Sequence, residues 1–157
     1  MPGLLEGKRG LILGLANKRS IAWSIAKSTS DAGAKLAFTY QGERLEENVR
    51  ALAEPLPGSL VLPCDVTDEV QVDAVMAKIS AEWGALDFLV HCVAYAKADD
   101  LGGTYVKTRK DGFDLALGVS AYSLTLLTQK AQPLLEKAGG GSVVTLSYLG
   151  GERVMPG

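Results

Sequence analysis

Between Gly10 and Ser28 the chain reads GLILGLANKRSIAWSIAKS, an apolar run that ends in Gly14, crosses a short polar stretch and resumes an apolar pattern at helical spacing after Ser20. This is the layout of a strand, a turn and a helix. The first free N–H groups of such a helix, together with its dipole, favour an anion such as a phosphate. Gly14 permits a tight turn, and Ser20 stands where it can cap the helix while offering its hydroxyl and N–H. The turn is not G-x-G-x-x-G, because Leu15, Ala16 and Asn17 follow Gly14. A glycine after a strand and a serine before a helix are also ordinary punctuation, so the stretch alone fits a plain turn and cap equally well.

The elements that must position this turn are legible along the rest of the chain. Short apolar runs at 11–14, 35–40, 59–66, 86–93 and 142–148 alternate with helix-like stretches at 20–32, 43–54, 68–83 and 109–138. The helix-like stretches carry apolar residues three and four apart. Alternating β and α elements imply a parallel, doubly wound sheet, since each parallel strand needs a crossover and a helix supplies it. The apolar runs lack polar alternation, as expected of a sheet covered on both faces. EPLPGS and KAGGGS read as helix-to-strand turns. The expected fold is α/β, a doubly wound parallel sheet in one domain over 1–157.

Composition limits the partners. With 157 residues, 47% hydrophobic and 22% charged, the chain has the makeup of one soluble domain. A net charge of -2 and the lack of a dense Lys/Arg block give no footprint for nucleic acid or an anionic membrane. Cys64 and Cys92 sit in apolar runs without metal or CxxC spacing and read as buried, reduced thiols, with no metal site expected. The longest mostly apolar stretch, LDFLVHCVAYA, is too short to span a bilayer and contains Asp87 and His91. The chain is read as cytoplasmic.

In a parallel sheet of this kind ligands collect at the carboxyl ends of the strands. The second strand ends in FTYQGER, where an acidic residue would favour NAD and basic residues NADP. Gln41 can hydrogen-bond a ribose or adenine without charge, while Arg44 leaves room for NADP. The third strand ends in PCDVTD; Asp65 can accept from an adenine amino group, Val66 lies beside it, and Asp68 reads as the N-cap of the next helix. The fourth ends in VHCVAYA, where small Ala94 and Ala96 allow close approach to the backbone. His91, the single histidine, lies inside the strand and reads as a core residue.

Taken together, GLANKRSIAWSIA, AFTYQGE, CDVTD, LDFLVHCVAYA, VSAYSL and LSYLGGERVMPG resemble the bacterial and plastid enoyl-acyl carrier protein reductases, a divergent branch of the short-chain dehydrogenase/reductases. The resemblance runs along the whole chain and implies a Rossmann-type sheet of order 3-2-1-4-5. It implies reduction, with NADH, of the double bond of a trans-2-enoyl thioester carried by acyl carrier protein, in fatty acid biosynthesis. It also implies a homo-oligomer, a tetramer when complete. By the same resemblance Gly14, Ser20 and Ile21 are contacts to the pyrophosphate and nicotinamide side, Gln41 to the adenosine side, Asp65 and Val66 to adenine, and Val93 and Ala94 to the nicotinamide ribose. Ala96 is a substrate contact, and Tyr148 the first of two active-site tyrosines.

Two departures stand out. The family commonly has glycine where this chain has Ala94. Its second tyrosine and a lysine, in the pattern Y-x6-K, are expected from the position after Gly157 onward, and none of Tyr40, Tyr95, Tyr105, Tyr122 or Tyr148 has a lysine seven residues later. The expectation is therefore an N-terminal part of such a reductase, with the sheet incomplete on its C-terminal side and no activity in isolation. Two other readings are a non-catalytic nucleotide-binding or assembly module of the same descent, and an NADP-dependent short-chain ketone reductase. The last is disfavoured by the missing G-x3-G-x-G turn and Asn-Ala-Gly strand end.

Overall fold

The computed structural model describes residues 3–102 and 104–154. Its five strands, β1 (Arg9–Leu13), β2 (Lys35–Tyr40), β3 (Leu60–Pro63), β4 (Phe88–His91) and β5 (Ser142–Thr145), form one sheet of order β3-β2-β1-β4-β5. Every pairing is parallel, with Leu11 opposite both Ala37 and Leu89, and Val90 opposite Val144. The parallel sheet expected from β/α alternation, in the order implied by the family resemblance, is thus the observed one, and the carboxyl ends of all five strands share one edge of the sheet.

Helices α1 (Ile21–Asp31), α2 (Glu43–Ala53) and α3 (Glu69–Trp83) supply the first crossovers. Ala22 and Ala26 of α1, with Val49, Leu52 and Ala53 of α2, bury one face of the sheet together with Ile12, Leu36 and Phe38. Small alanines bring α1 close to the strands. The other face packs Leu11, Leu13 and Leu89 against Val72, Val75 and Ile79 of α3 and, from further along the chain, Leu127, Ala131 and Leu134. Asp68 caps α3 as expected, its carboxylate accepting from the N–H groups of Val70 and Gln71 at 2.9 and 3.3 Å. Gly84 ends the helix at φ +73°, a left-handed turn that favours glycine.

The structure changes three expectations. The stretch 109–138 is not one helix but α4 (Lys110–Leu117), a π-helical turn over Gly118–Tyr122, and α5 (Ser123–Lys137). Gly118 weakens the helix, and the widened turn carries Ser120, and Ser123 at the start of α5, to backbone and side-chain partners on β4 and its exit loop. Four of the strands also stop short of their apolar runs, and beyond them single N–H groups of Cys64, Cys92 and Leu146 still donate to the neighbouring strands before the chain turns along the carboxyl edge. Lastly, Cys64 is buried but Cys92 is half-buried, since it lies where β4 leaves the sheet. Strand β5 is an edge strand whose residues are all exposed, Val144 at 48%.

Candidate functional site

At the carboxyl edge the exits of β1, β2, β3 and β4 surround a cleft of about 510 Å³. Its first wall is the turn after β1. Gly14 holds φ +89°, and a Cβ there would lie 2.0 Å from the carbonyl oxygen of Cys92, so both the backbone angle and the closeness of β4 require glycine. Beyond it the Asn17 side chain accepts from the Arg19 N–H at 2.8 Å, turning the chain toward α1.

Ser20 occupies the N-cap position but does not act as the expected side-chain cap. Its hydroxyl donates instead to the Asn17 carbonyl at 2.6 Å, which stabilises the turn and leaves the helix uncapped. The first turn of α1 contains no acidic residue, whereas α2 has Glu43 and Glu46 there and α3 has its Asp68 cap. Of the helices that start beside the cleft, α1 keeps its positive end free for an external anion.

The second wall joins β2 to β3. Gln41 donates from Nε2 to Asp65 Oδ2 at 2.7 Å, while the other carboxylate oxygen accepts from the Thr67 N–H at 2.8 Å and the Thr67 hydroxyl at 2.6 Å. Burial pushes the Asp65 pKa up, but the Thr67 and Gln41 donors outweigh it and hold the carboxyl below the usual carboxylate range. Burial, then the charges of Asp65 and Asp68, push the neighbouring Cys64 thiol up to about 11, so it is protonated and unreactive at neutral pH.

The third wall is the exit of β4, with Val93, Ala94 and Tyr95. The Tyr95 N–H donates to Ser120 Oγ at 3.0 Å, which ties this loop to the π-helical turn. His91, just upstream, is 1% exposed and sits in the core as expected. Because the Ser123 hydroxyl donates to the Val119 carbonyl at 2.7 Å, it accepts from His91 Nε2–H, also at 2.7 Å. Nε2 therefore carries a proton, Thr145 Oγ1 lies 3.3 Å from Nδ1, and burial lowers the pKa of the imidazole.

Of the residues singled out from sequence, Gly14, Gln41, Asp65, Val66, Val93 and Ala94 line this one cleft. Ser20, Ile21, Ala96 and Tyr148 do not; Ile21 and Tyr148 are 61% and 68% exposed, and Tyr148 follows β5 on the same edge of the sheet. The last three residues of LSYLGGERVMPG, at 155–157, lie outside the described residues. The cleft also uses Leu15, Thr39, Tyr95, Leu115 and Val119, which the sequence reading missed. Thr39 and Tyr95 could have been found as strand-end residues. Leu115 and Val119 could not, because the packing of α4 across the edge brings them there.

Comparison with known proteins gives this edge a lineage. The family described as Enoyl-(Acyl carrier protein) reductase matches residues 14–157. An enoyl-acyl-carrier-protein reductase (NADH) of Bacillus cereus is 52% identical over 154 residues, covering 97% of this chain but 59% of the relative. The crystal structure of the Anaplasma phagocytophilum enzyme in complex with NAD is 44% identical with a TM-score of 0.93, over 99% of this chain and 59% of that one. The Bacillus cereus enzyme with NADP+ and an indole naphthyridinone is 52% identical with a TM-score of 0.93, over 98% and 60%. The chain thus spans about six tenths of these relatives' length. From its matched residues and its fold, it belongs to the enoyl-acyl carrier protein reductase family.

Proposed function

We propose that residues 1–157 form a single NAD-binding domain of an NADH-dependent reductase that saturates the double bond of a trans-2-enoyl thioester carried by acyl carrier protein. The observation that carries this reading is the convergence of Gly14, Gln41, Asp65, Val66, Val93 and Ala94, from the exits of four strands, on one cleft. The donor set fits a dinucleotide. The uncapped end of α1, free of carboxylates, suits a pyrophosphate, and Gln41 and Asp65 supply uncharged and charged acceptors for an adenosine. The group supplies a hydride when bound.

In this reading Gly14 admits the backbone turn, while the N–H groups around Ser20 and Ile21 hold the pyrophosphate on its nicotinamide side. Gln41 serves the adenosine ribose, Asp65 and Val66 the adenine, and Val93 and Ala94 the nicotinamide ribose. Ala96 borders the acyl substrate. Tyr148 directs its hydroxyl at the thioester oxygen, where negative charge builds during reduction and a donor is most effective. The protein works in the cytoplasm as a homo-oligomer, a tetramer, for which exposed Phe113, Leu117 and Tyr122 offer apolar surface.

The test uses the protein encoded by its natural reading frame. Saturable binding of NADH, followed by nicotinamide fluorescence, and NADH oxidation that depends on a crotonyl thioester are expected. Failure to bind NADH, or reduction of ketones in place of enoyl thioesters, would overturn the reading.

A further inference from the structure

Solved relatives contain NAD in one case and NADP+ in another, so family membership does not decide which cofactor this chain prefers. The two differ by a phosphate on the adenosine ribose, which falls at the exit of β2. There the side-chain amide of Gln41 has two faces, an NH2 that would welcome a phosphate and a carbonyl that would repel one. What orients this amide therefore matters more than its presence.

We infer that Asp65 is a positioning residue for cofactor choice: it spends the Gln41 NH2 on its own carboxylate and leaves the Gln41 carbonyl as the free acceptor, so that a 2′-hydroxyl is accepted and a 2′-phosphate is rejected. This rests on the dinucleotide reading of the cleft. The 2.7 Å contact from Nε2 to Oδ2 fixes the sense of the amide, because the flipped form would set two acceptors against each other. Asp65 cannot swing away to relieve that clash. Thr67 holds its other oxygen with both N–H and hydroxyl, and its own N–H donates to Gln71 Oε1 at 2.8 Å.

The surroundings do not offset the carboxylate. Arg50, which stacks over the Tyr40 ring at 5.9 Å, is committed to Glu46 at 2.7 Å. Arg44 does not line the cleft. A phosphate entering beside Gln41 would meet a carbonyl dipole and a carboxylate at short range, where like charges repel.

The experiment measures the dissociation constants of NADH and NADPH for the natural protein and for Asp65→Asn, and compares their ratio. Both cofactors carry the same adenine and nicotinamide, so any direct adenine contact of Asp65 divides out of the ratio. The unaltered protein is expected to prefer NADH. Asp65→Asn frees the Gln41 amide to turn and is expected to reduce that preference at least about tenfold, the scale of a hydrogen bond to a charged group. Gln41→Met is expected to reduce it likewise with Asp65 intact. If Asp65→Asn does not fold, as judged by circular dichroism, Asp65→Ser replaces it, since serine is too short to reach Gln41. A preference that survives Asp65→Asn or Gln41→Met, or a natural protein that prefers NADPH, overturns the inference. If the natural protein binds neither cofactor, the functional reading falls first and this inference with it.

Discussion

His91 and Ser123, 32 residues apart in sequence, meet in the core at 2.7 Å, with Nε2–H of the imidazole donating to the serine hydroxyl. The hydroxyl in turn donates to the Val119 carbonyl, so one serine ties β4 to the π-helical turn that walls the cleft. Ser123→Ala strands a buried N–H. It is expected to lower unfolding free energy by about 1–3 kcal/mol in urea titrations, the usual cost of an unpaired buried donor. An unchanged midpoint and slope would show that the pair contributes nothing to stability.

The same imidazole makes stability depend on pH. Burial holds the folded His91 below its ordinary value, so the unfolded chain takes up a proton more readily. Above roughly pH 6.5 both states are neutral and this contribution is complete. As pH falls from there toward the folded pKa, stability declines, at no more than about 1.4 kcal/mol per pH unit. The carboxyls of Asp65, Asp87, Asp111 and Glu46 are held below their ordinary values and lose their contributions only under about pH 4.5, so the window between is governed by the single histidine. His91→Gln is expected to flatten the decline between pH 6.5 and 5 in thermal or urea unfolding, whatever it does to stability at neutral pH.

Gly14→Ala tests the first wall. The substitution places a Cβ 2.0 Å from the Cys92 carbonyl oxygen at φ +89°, and the backbone angle alone costs about 1–3 kcal/mol in a non-glycine residue. The turn must shift, carrying the start of α1 away from the cleft. Both the melting temperature and NADH affinity are expected to fall. A variant with unaltered NADH affinity would show that the turn does not position the pyrophosphate.

Tyr148→Phe separates chemistry from packing. The residue is exposed on the carboxyl edge, so loss of its hydroxyl is expected to leave stability and NADH binding nearly unchanged. Turnover of an enoyl thioester by the natural protein is expected to drop about tenfold or more if the hydroxyl meets developing charge. Equal turnover would remove Tyr148 from the active site.

The parallel sheet was legible because its signal is local and repeated. Each apolar run lacks alternation, each intervening stretch has a helical period, and parallel strands demand those crossovers. Six of the residues assigned to the site could be named for the same reason, since in this topology the exit of every strand reaches one edge. Gly14 was legible as a turn, although the closeness of Cys92, which makes glycine obligatory there, depends on the pairing of β1 with β4. Ser20 was read as a cap from its position, but a side chain at that position can bond backward as well as forward, and the Asn17 carbonyl won.

By itself, then, the sequence determined the order of elements, the sheet edge on which the cleft opens and six of the residues that line it. These follow from hydrophobic period and turn chemistry, which act over a few residues. The tertiary structure decided what those residues do to one another. The sense of the Gln41 amide comes from an aspartate 24 positions away, the proton on His91 Nε2 from a serine at the start of α5, and the far wall of the cleft from Leu115 and Val119. Such relationships depend on register and packing between distant segments, and no local pattern encodes the distance at which two side chains finally meet.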